Sequence, residues 1–137
     1  MFEPAHWLPI AEACASPLDG CDPEASRRTA INRAYYAPLL MIKARVDALL
    51  GAGTVPAEGT HGAILLALRK SRIREFQKVL EKLKVLQELR ENADYVLSGP
   101  PLDALQVDGA VARSRWLVKN LLPAIPDRKY RRLKFAR

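Results

Sequence analysis

A continuous apolar stripe constrains the fold of this chain more than any other feature of the sequence. Between Asp22 and Gly51, apolar side chains recur at steps of three and four residues: Ala30, Ile31, Ala34, Tyr35, Leu39, Ile42, Val46 and Leu49. This spacing is typical of one face of an α-helix. Asp22, Pro23 and Glu24 form a strong helix start, because they supply a cap, a proline suited to the first turn and a negative charge. The sequence therefore predicts one long helix that ends at Gly51.

A second stripe predicts another long helix, from about residue 73 to residue 97. Its members are Phe76, Val79, Leu80, Leu83, Leu86, Arg90, Ala93 and Leu97. Shorter helices are expected from about Pro4 to Ala15, in "HGAILLALRK", and from a cap at Asp103 to a stop before Pro123. The closing helix is predicted to face the core with Leu105, Ala112, Trp116, Val118, Leu121 and Leu122. No β alternation is present, so the sequence predicts an all-α, antiparallel bundle of four to five helices.

The chain divides into three parts around one predicted core. Residues 1–20 hold an N-terminal helix or extension, residues 21–125 form the helical bundle, and residues 126–137 form a basic C-terminal tail. With 137 residues, the chain is long enough for a single core. The tail carries six basic residues against one aspartate: Arg128, Lys129, Arg131, Arg132, Lys134 and Arg137. We expect it to extend beyond the core and to bind anions, with a solvated end as the alternative.

The charge of the chain favours anionic partners. The net charge is +7 and the isoelectric point is near 9.7, values that suit nucleic acid, phosphates or an acidic protein surface. The alternative is a basic domain that binds nothing through its charge. No apolar run reaches the roughly 20 residues that span a bilayer. The N-terminus lacks the basic region of a secretory signal. We therefore expect a cytoplasmic protein without a membrane partner.

The sequence indicates neither a metal site nor a cofactor. Cys14 and Cys21 lie too far apart for a CxxC motif and are interpreted as free thiols, with zinc as the remote alternative. His6 and His61 belong to no Glu-x-x-His or HExxH pattern. His61 follows Thr60, a predicted helix cap, and is interpreted as a residue at a helix start without a chemical role. Phosphate-loop, GxGxxG and GxSxG motifs are missing from the sequence.

One polar groove is predicted between the two long helices. Arg33 and Tyr36 would line it from the first long helix, and Arg90, Asp94 and Tyr95 from the second. Arg90 interrupts an apolar stripe, and burying an arginine without a partner is costly. It therefore needs a carboxylate, a carbonyl or a bound anion, and Asp94 lies one helical turn away.

Three blocks of the sequence, "RRTAINRAYYAPLL", "GTHGAI" and "LRENADY", resemble the HEPN family in its small stand-alone branch. The resemblance covers roughly residues 25 to 122. It implies a helical bundle that forms a homodimer, and a role in toxin–antitoxin or other defence systems. Many members of the family are metal-independent ribonucleases whose signature is an arginine followed, after four to six residues, by a histidine. Arg90 matches the arginine, whereas Tyr95, Val96 and Leu97 occupy the histidine positions.

Three functions follow from these residues, and the first is preferred. It is a non-catalytic module that binds RNA or a nucleotide through Arg33, Tyr36 and Arg90. Further contacts to nucleic acid are assigned to Arg27, Arg28, Arg128, Lys129, Arg131 and Arg132. The second is a metal-independent ribonuclease with Arg90, Asp94 and Tyr95 as a variant catalytic site. The third is a structural subunit of a protein complex. The expected partners are RNA or another phosphate-bearing ligand, a second copy of the chain, and a protein such as a nucleotidyltransferase.

Overall fold

The computed structural model describes residues 2–16, 18–96 and 98–135, and this part of the chain is helical without a strand. A 3-10 turn, Pro4–His6, leads into α1. The α-helices are α1 (Trp7–Ala15), α2 (Pro23–Leu50), α3 (Thr60–Lys70), α4 (Arg74–Tyr95), α5 (Ala104–Trp116), α6 (Leu122–Ala124) and α7 (Asp127–Tyr130). A π-helical segment, Leu117–Leu121, joins α5 to α6. The predicted all-α bundle is confirmed. Within the described ranges, no helix combines the length and apolar character that a membrane crossing requires.

Helix α2 is the central element of the bundle, and its predicted bounds are confirmed. The Asp22 carboxylate accepts a hydrogen bond from the backbone N–H of Ala25 at 2.9 Å, as a helix cap does. Gly51 ends the helix with a φ of 116°, a conformation that favours glycine. At 28 residues, α2 is about 42 Å long. It packs mainly against α1, α4 and α5, so it forms a wall of the core along most of its length.

The stripe of α4 faces α2 as the sequence predicts. Phe76, Val79, Leu80, Leu83, Leu86, Arg90 and Ala93 are all buried, and Leu97 lies outside the described residues. Arg90 therefore enters the interior from the same face as its apolar neighbours. The start of α3 differs from the prediction. Gly59, with a φ of 73°, is the N-cap, and Thr60 is the first helical residue.

The predicted apolar face of α5 is partly wrong. Leu105 is 83% exposed and Ala112 is also exposed, whereas Val107, Ala110, Val111, Ser114 and Leu117 are buried. Asp103 caps the helix and forms a capping box with Gln106, which fixes where the first turn begins. From that start, the helical period directs Leu105 to solvent and residues 107, 110, 111 and 114 to the core.

The π-helical segment accounts for the rest of the difference in α5. It widens the turn after Trp116 and shifts the helical register. The buried residues after it, including Leu122, therefore face the core at a different spacing from those of α5. The helical path also does not stop before Pro123. Leu122 and Pro123 begin the short helix α6, since proline is tolerated in the first turn of a helix.

The basic C-terminal segment packs on the core, which corrects the expectation of an extension. Tyr130 is 3% exposed and Leu133 is 4% exposed. The Tyr130 hydroxyl donates to the Leu122 carbonyl at 3.0 Å, and its ring packs edge-on against Phe76 at 5.2 Å between centroids. Ion pairs join Lys129 to Glu75 and Asp127 to Arg45. The expectation considered only the basic residues of the segment, whereas Tyr130 and Leu133, three positions apart, anchor it on the core. Ala136 and Arg137 lie outside the described residues.

Candidate functional site

The structure brings together residues of α2, α3 and α4 that the sequence places far apart. Tyr35 and Tyr36 extend from the middle of α2, and Arg90 extends toward them from α4. The Arg90 guanidinium carbon lies 5.3 Å from the Tyr35 ring centroid and 5.9 Å from that of Tyr36. Tyr95 is also near, at 5.9 Å, although its side chain is largely exposed. The predicted proximity of the two helices at these residues is therefore found.

Arg90 is buried with a single acidic partner. It is 9% exposed, and its Nη1 donates to Asp94 Oδ2 at 3.2 Å. Asn32 Nδ2 donates to the same carboxylate oxygen at 3.0 Å, so Asp94 is held from both helices. The Arg90 Nε is buried and has no hydrogen-bond partner among the described residues. Asp94 balances the charge of Arg90 but leaves this N–H donor unsatisfied, so an acceptor such as a phosphate oxygen would complete its hydrogen bonds.

His61 is the residue that the sequence interpretation missed. The prediction placed no histidine in the groove, and the structure contradicts it, because the first turn of α3 directs His61 onto the tyrosine pair. Its Nδ1 lies 3.2 Å from the Tyr35 hydroxyl, and its Nε2 lies 2.9 Å from the Tyr36 hydroxyl. The imidazole ring packs 5.5 Å from the Tyr35 ring and 5.2 Å from the Tyr36 ring. His61 therefore makes a tertiary contact with α2, whereas the sequence interpretation gave it only a position at the start of α3.

We call Tyr35, Tyr36, His61 and Arg90 the Arg–His–Tyr cluster. His61 and Arg90 contact the same two aromatic rings, although they come from different helices. The loop between α2 and α3 turns back at Gly59 and carries His61 to this position. The block "GTHGAI" was one of the three that resemble a known family, and it was the only signal in the sequence for His61.

The electrostatics of the cluster favour a neutral imidazole. Burial and, secondarily, the positive charge of Arg90 lower the pKa of His61 below its ordinary value of 6.5. Burial raises the pKa of Tyr35 to about 12, although Arg90 opposes this change. A neutral imidazole has one N–H and one bare nitrogen. One tyrosine hydroxyl therefore donates to the ring, and the other accepts a hydrogen bond from it.

This arrangement can hold an anion and exchange a proton. A neutral imidazole is a base near neutral pH, and a guanidinium stabilises negative charge on oxygen. Both nitrogens of His61 are engaged by tyrosine hydroxyls, so a substrate hydroxyl has to replace the tyrosine that donates to the ring. A cavity of about 390 Å³ opens beside the cluster, and Tyr36, His61, Leu39, Leu40, Ala57, Gly59 and Thr60 line it. Its volume is in the range of small-ligand sites.

Arg33 lies at the edge of the cluster and Arg28 does not belong to it. The Arg33 guanidinium stacks on the Trp7 ring at 4.5 Å and lies 5.7 Å from the Tyr36 ring. Arg28 Nη1 donates to the carbonyls of Ala93 and Val96 at 2.7 and 2.8 Å, and its Nε pairs with Glu24. Arg28 thus satisfies carbonyls at the C-terminal end of α4, and its contact to nucleic acid stays a prediction.

The other predicted nucleic-acid residues divide in the same way. Lys129 is paired with Glu75, and Arg131 Nη1 donates to the Leu49 carbonyl at 3.0 Å. Arg27 is half-buried, whereas Arg128 and Arg132 are exposed. These three make no side-chain hydrogen bond or ion pair within the described part of the chain. Their guanidinium groups are therefore available to an anionic ligand, whereas the ammonium group of Lys129 is already paired with a carboxylate.

The cysteines and acidic residues form no site in the described ranges. Cys14 is buried, Cys21 is exposed, and both are free thiols. No group of three or more histidine, cysteine, aspartate or glutamate side chains is placed to hold a metal ion there. The candidate ligand-binding residues are therefore those of the Arg–His–Tyr cluster and, among the described residues, the cations without partners, Arg27, Arg128 and Arg132.

Comparison with known proteins adds no assignment to this geometry. The chain matches no family model, and it matches neither a curated protein nor a solved structure. The functional interpretation therefore rests on the residues themselves.

Proposed function

We propose that the protein binds RNA or a nucleotide, with a phosphate group held at the Arg–His–Tyr cluster. One observation carries this proposal: Arg90 and His61 converge on the same tyrosine pair, and Arg90 keeps a buried N–H donor that Asp94 does not satisfy. The net charge of +7 supports an anionic ligand. The resemblance to the HEPN family supports RNA as that ligand.

A specific observation also favours a second function, metal-independent cleavage of RNA. The expectation of a non-catalytic module rested on the missing histidine, and His61 removes that reason. In this reaction, His61 would accept the proton of a ribose 2′-hydroxyl, whose oxygen attacks the adjacent phosphorus. The P–O bond to the 5′ oxygen breaks, and that oxygen takes up a proton as it leaves. Arg90 would stabilise the charge on the phosphate oxygens.

The resemblance carries further proposals that concern assembly and context. We propose that the chain acts as a homodimer in a toxin–antitoxin or defence system, with a partner protein such as a nucleotidyltransferase. The resemblance alone supports these three points. The alternative role as a structural subunit of a complex is favoured by no particular contact of the chain.

One experiment separates binding from cleavage. A labelled single-stranded RNA is incubated with the protein in EDTA, and both bound and cut RNA are quantified. We expect Arg90→Ala to weaken binding by about tenfold or more, because hydrogen bonds to charged groups contribute about 1.5–3 kcal/mol. Arg90→Lys keeps the positive charge but lacks the planar guanidinium group with its several N–H donors, so we expect an intermediate loss of RNA affinity. Lys84→Ala, an exposed cation of the same helix, is the matched control and should bind normally.

The outcomes of this experiment assign the function. RNA cleavage that persists in EDTA and falls about a hundredfold or more in His61→Gln would establish the ribonuclease. Binding without cleavage would establish the module. If both Arg90 variants lose thermal stability and still bind RNA normally, Arg90 is a structural ion-pair residue and the proposal is wrong.

A further inference from the structure

A second concentration of positive charge lies at the opposite end of α3 from His61. A cleft of about 400 Å³ separates the α3–α4 connection from the C-terminal segment. Its walls carry five cationic side chains and no acidic one; we call these five the basic cleft: Lys70, Arg72, Arg131, Arg132 and Lys134. Like charges this close repel one another, so the cleft raises the free energy of the folded chain unless an anion occupies it.

The cations of the basic cleft have no acidic partner within the described residues, and three of them lie on an anchored backbone segment. Arg131 donates to the Leu49 carbonyl, and the other four make no side-chain hydrogen bond or ion pair within the described residues. Leu133, which lies between Arg132 and Lys134, is buried in the core and fixes the backbone there. Arg131, Arg132 and Lys134 therefore extend from an anchored backbone, which reduces the conformational entropy that is lost when a ligand binds.

A further cleft on α3 lies between the basic cleft and the Arg–His–Tyr cluster. A neighbouring cleft of about 450 Å³ shares Lys70 and Lys134 with the basic cleft, and Gly62, Ala63 and Leu66 form its floor. Gly62 adjoins His61, which lines the cavity of the cluster. His61 and Lys70 are nine positions apart, which corresponds to a rise of about 14 Å along the helix axis and to opposite sides of α3, so a strand that joins them has to pass around the helix. That distance exceeds what a single nucleotide needs and suits a strand of several.

The middle of this path offers apolar surface for a base. Leu66 is 43% exposed, and Phe135 lines the same cleft. Proteins that bind single strands combine cationic grooves for the backbone with aromatic rings on which bases stack. From the start of α3 to its end, the surface therefore presents the Arg–His–Tyr cluster, then the apolar side chains Leu66 and Phe135, and then the basic cleft.

We propose that single-stranded RNA lies along α3, with its backbone in the basic cleft, a base against Phe135 and Leu66, and a phosphodiester at the Arg–His–Tyr cluster. This inference rests on the proposed function and specifies its ligand, a strand of several nucleotides in place of a free nucleotide. In this arrangement Arg131, Arg132 and Lys134 hold the backbone of the strand from a segment that is anchored on the core.

Charge reversal in the basic cleft tests the inference. Fluorescence anisotropy is measured with a labelled 12-nucleotide single-stranded RNA and with a labelled dinucleotide, at several salt concentrations. The variant Arg132→Glu/Lys134→Glu should weaken binding of the longer RNA by about tenfold or more and leave the dinucleotide unaffected. The salt slope should fall by about 0.7 for each phosphate contact that is lost. The control Lys84→Glu/Lys119→Glu has the same change in net charge at exposed positions outside these clefts.

The remaining outcomes overturn either this inference or the function beneath it. If the cleft variant binds the longer RNA as the control does, while Arg90→Ala loses binding, the path along α3 is wrong and the proposed function stands. Equal losses for both RNA lengths would also overturn the path, because they indicate a general charge effect. If the unaltered protein binds neither RNA, the proposed function itself fails.

Discussion

His61 is the residue on which the chemistry of this protein depends most. Its imidazole is enclosed by two tyrosine rings and lies near a guanidinium, which together favour its neutral form. Because Tyr35 keeps its proton, the two hydroxyls can exchange donor and acceptor roles around the ring. Partly exposed Tyr36 connects this hydrogen-bonded set to the cavity.

The pH dependence of His61 follows from these contacts. We expect an NMR titration to give His61 a pKa below 6.5, and Arg90→Ala to raise that pKa, since the variant removes a positive charge. A lowered pKa means that the unfolded chain binds the proton more strongly than the folded chain. The contribution of His61 to stability is therefore fully present above pH 6.5 and is lost as the pH falls toward its folded pKa.

The result that would contradict this prediction is a His61 pKa at or above 6.5. Such a value would mean that the imidazole is open to water or faces a carboxylate, contrary to the geometry. Signals are assigned by comparison with His61→Gln, which also serves as the control for the pH dependence of unfolding.

At the scale of helices, the C-terminal segment is the element whose role changes most between sequence and structure. Tyr130 fills a space between Phe76 and α6, so we expect Tyr130→Ala to reduce the free energy of unfolding by about 3–5 kcal/mol. Tyr130→Phe removes only the bond to the Leu122 carbonyl and should cost about 1–2 kcal/mol. Arg128→Ala, at an exposed neighbour, should change stability by less than about 0.5 kcal/mol.

Urea unfolding of these three variants measures the differences. Equal midpoints for Tyr130→Ala and Arg128→Ala would show that the segment is detached from the core. The anchored cations of the basic cleft would then lose their structural support.

The helices show how much of the fold and site the sequence could predict. The apolar stripe of α4 predicted the buried position of Arg90, because the helical period decides which side chains share a face. The bounds of α2 were predicted from its capping residues, Asp22 and Gly51. The predicted face of α5 was partly wrong: Leu105 and Ala112 lie on the opposite side of the helix from Val107, Ala110 and Val111, and the π-helical segment shifts the register after Trp116. His61 was missed because its partners lie 25 and 26 residues away, and no local pattern encodes a contact across a loop.

At the scale of the whole molecule, the cationic side chains of the described residues form two groups, those with acidic or carbonyl partners and those without. Arg28, Arg45 and Lys129 are paired with acids or carbonyls that stabilise the fold. The cations along α3 and the C-terminal segment mostly lack such partners, and Arg90 has one acid in a buried setting. The cations without partners are therefore concentrated in the basic cleft, where the proposed RNA strand would lie.

The central claim is that this cluster binds the phosphate of an RNA strand, and His61 itself reports on it most directly. The imidazole resonances of His61 are followed by NMR while single-stranded RNA is added at constant pH. We predict saturable shifts that follow the binding curve and are lost in Arg90→Ala. Saturation of the protein by RNA without any change at His61 would contradict the account, since the strand would then bind away from the cluster.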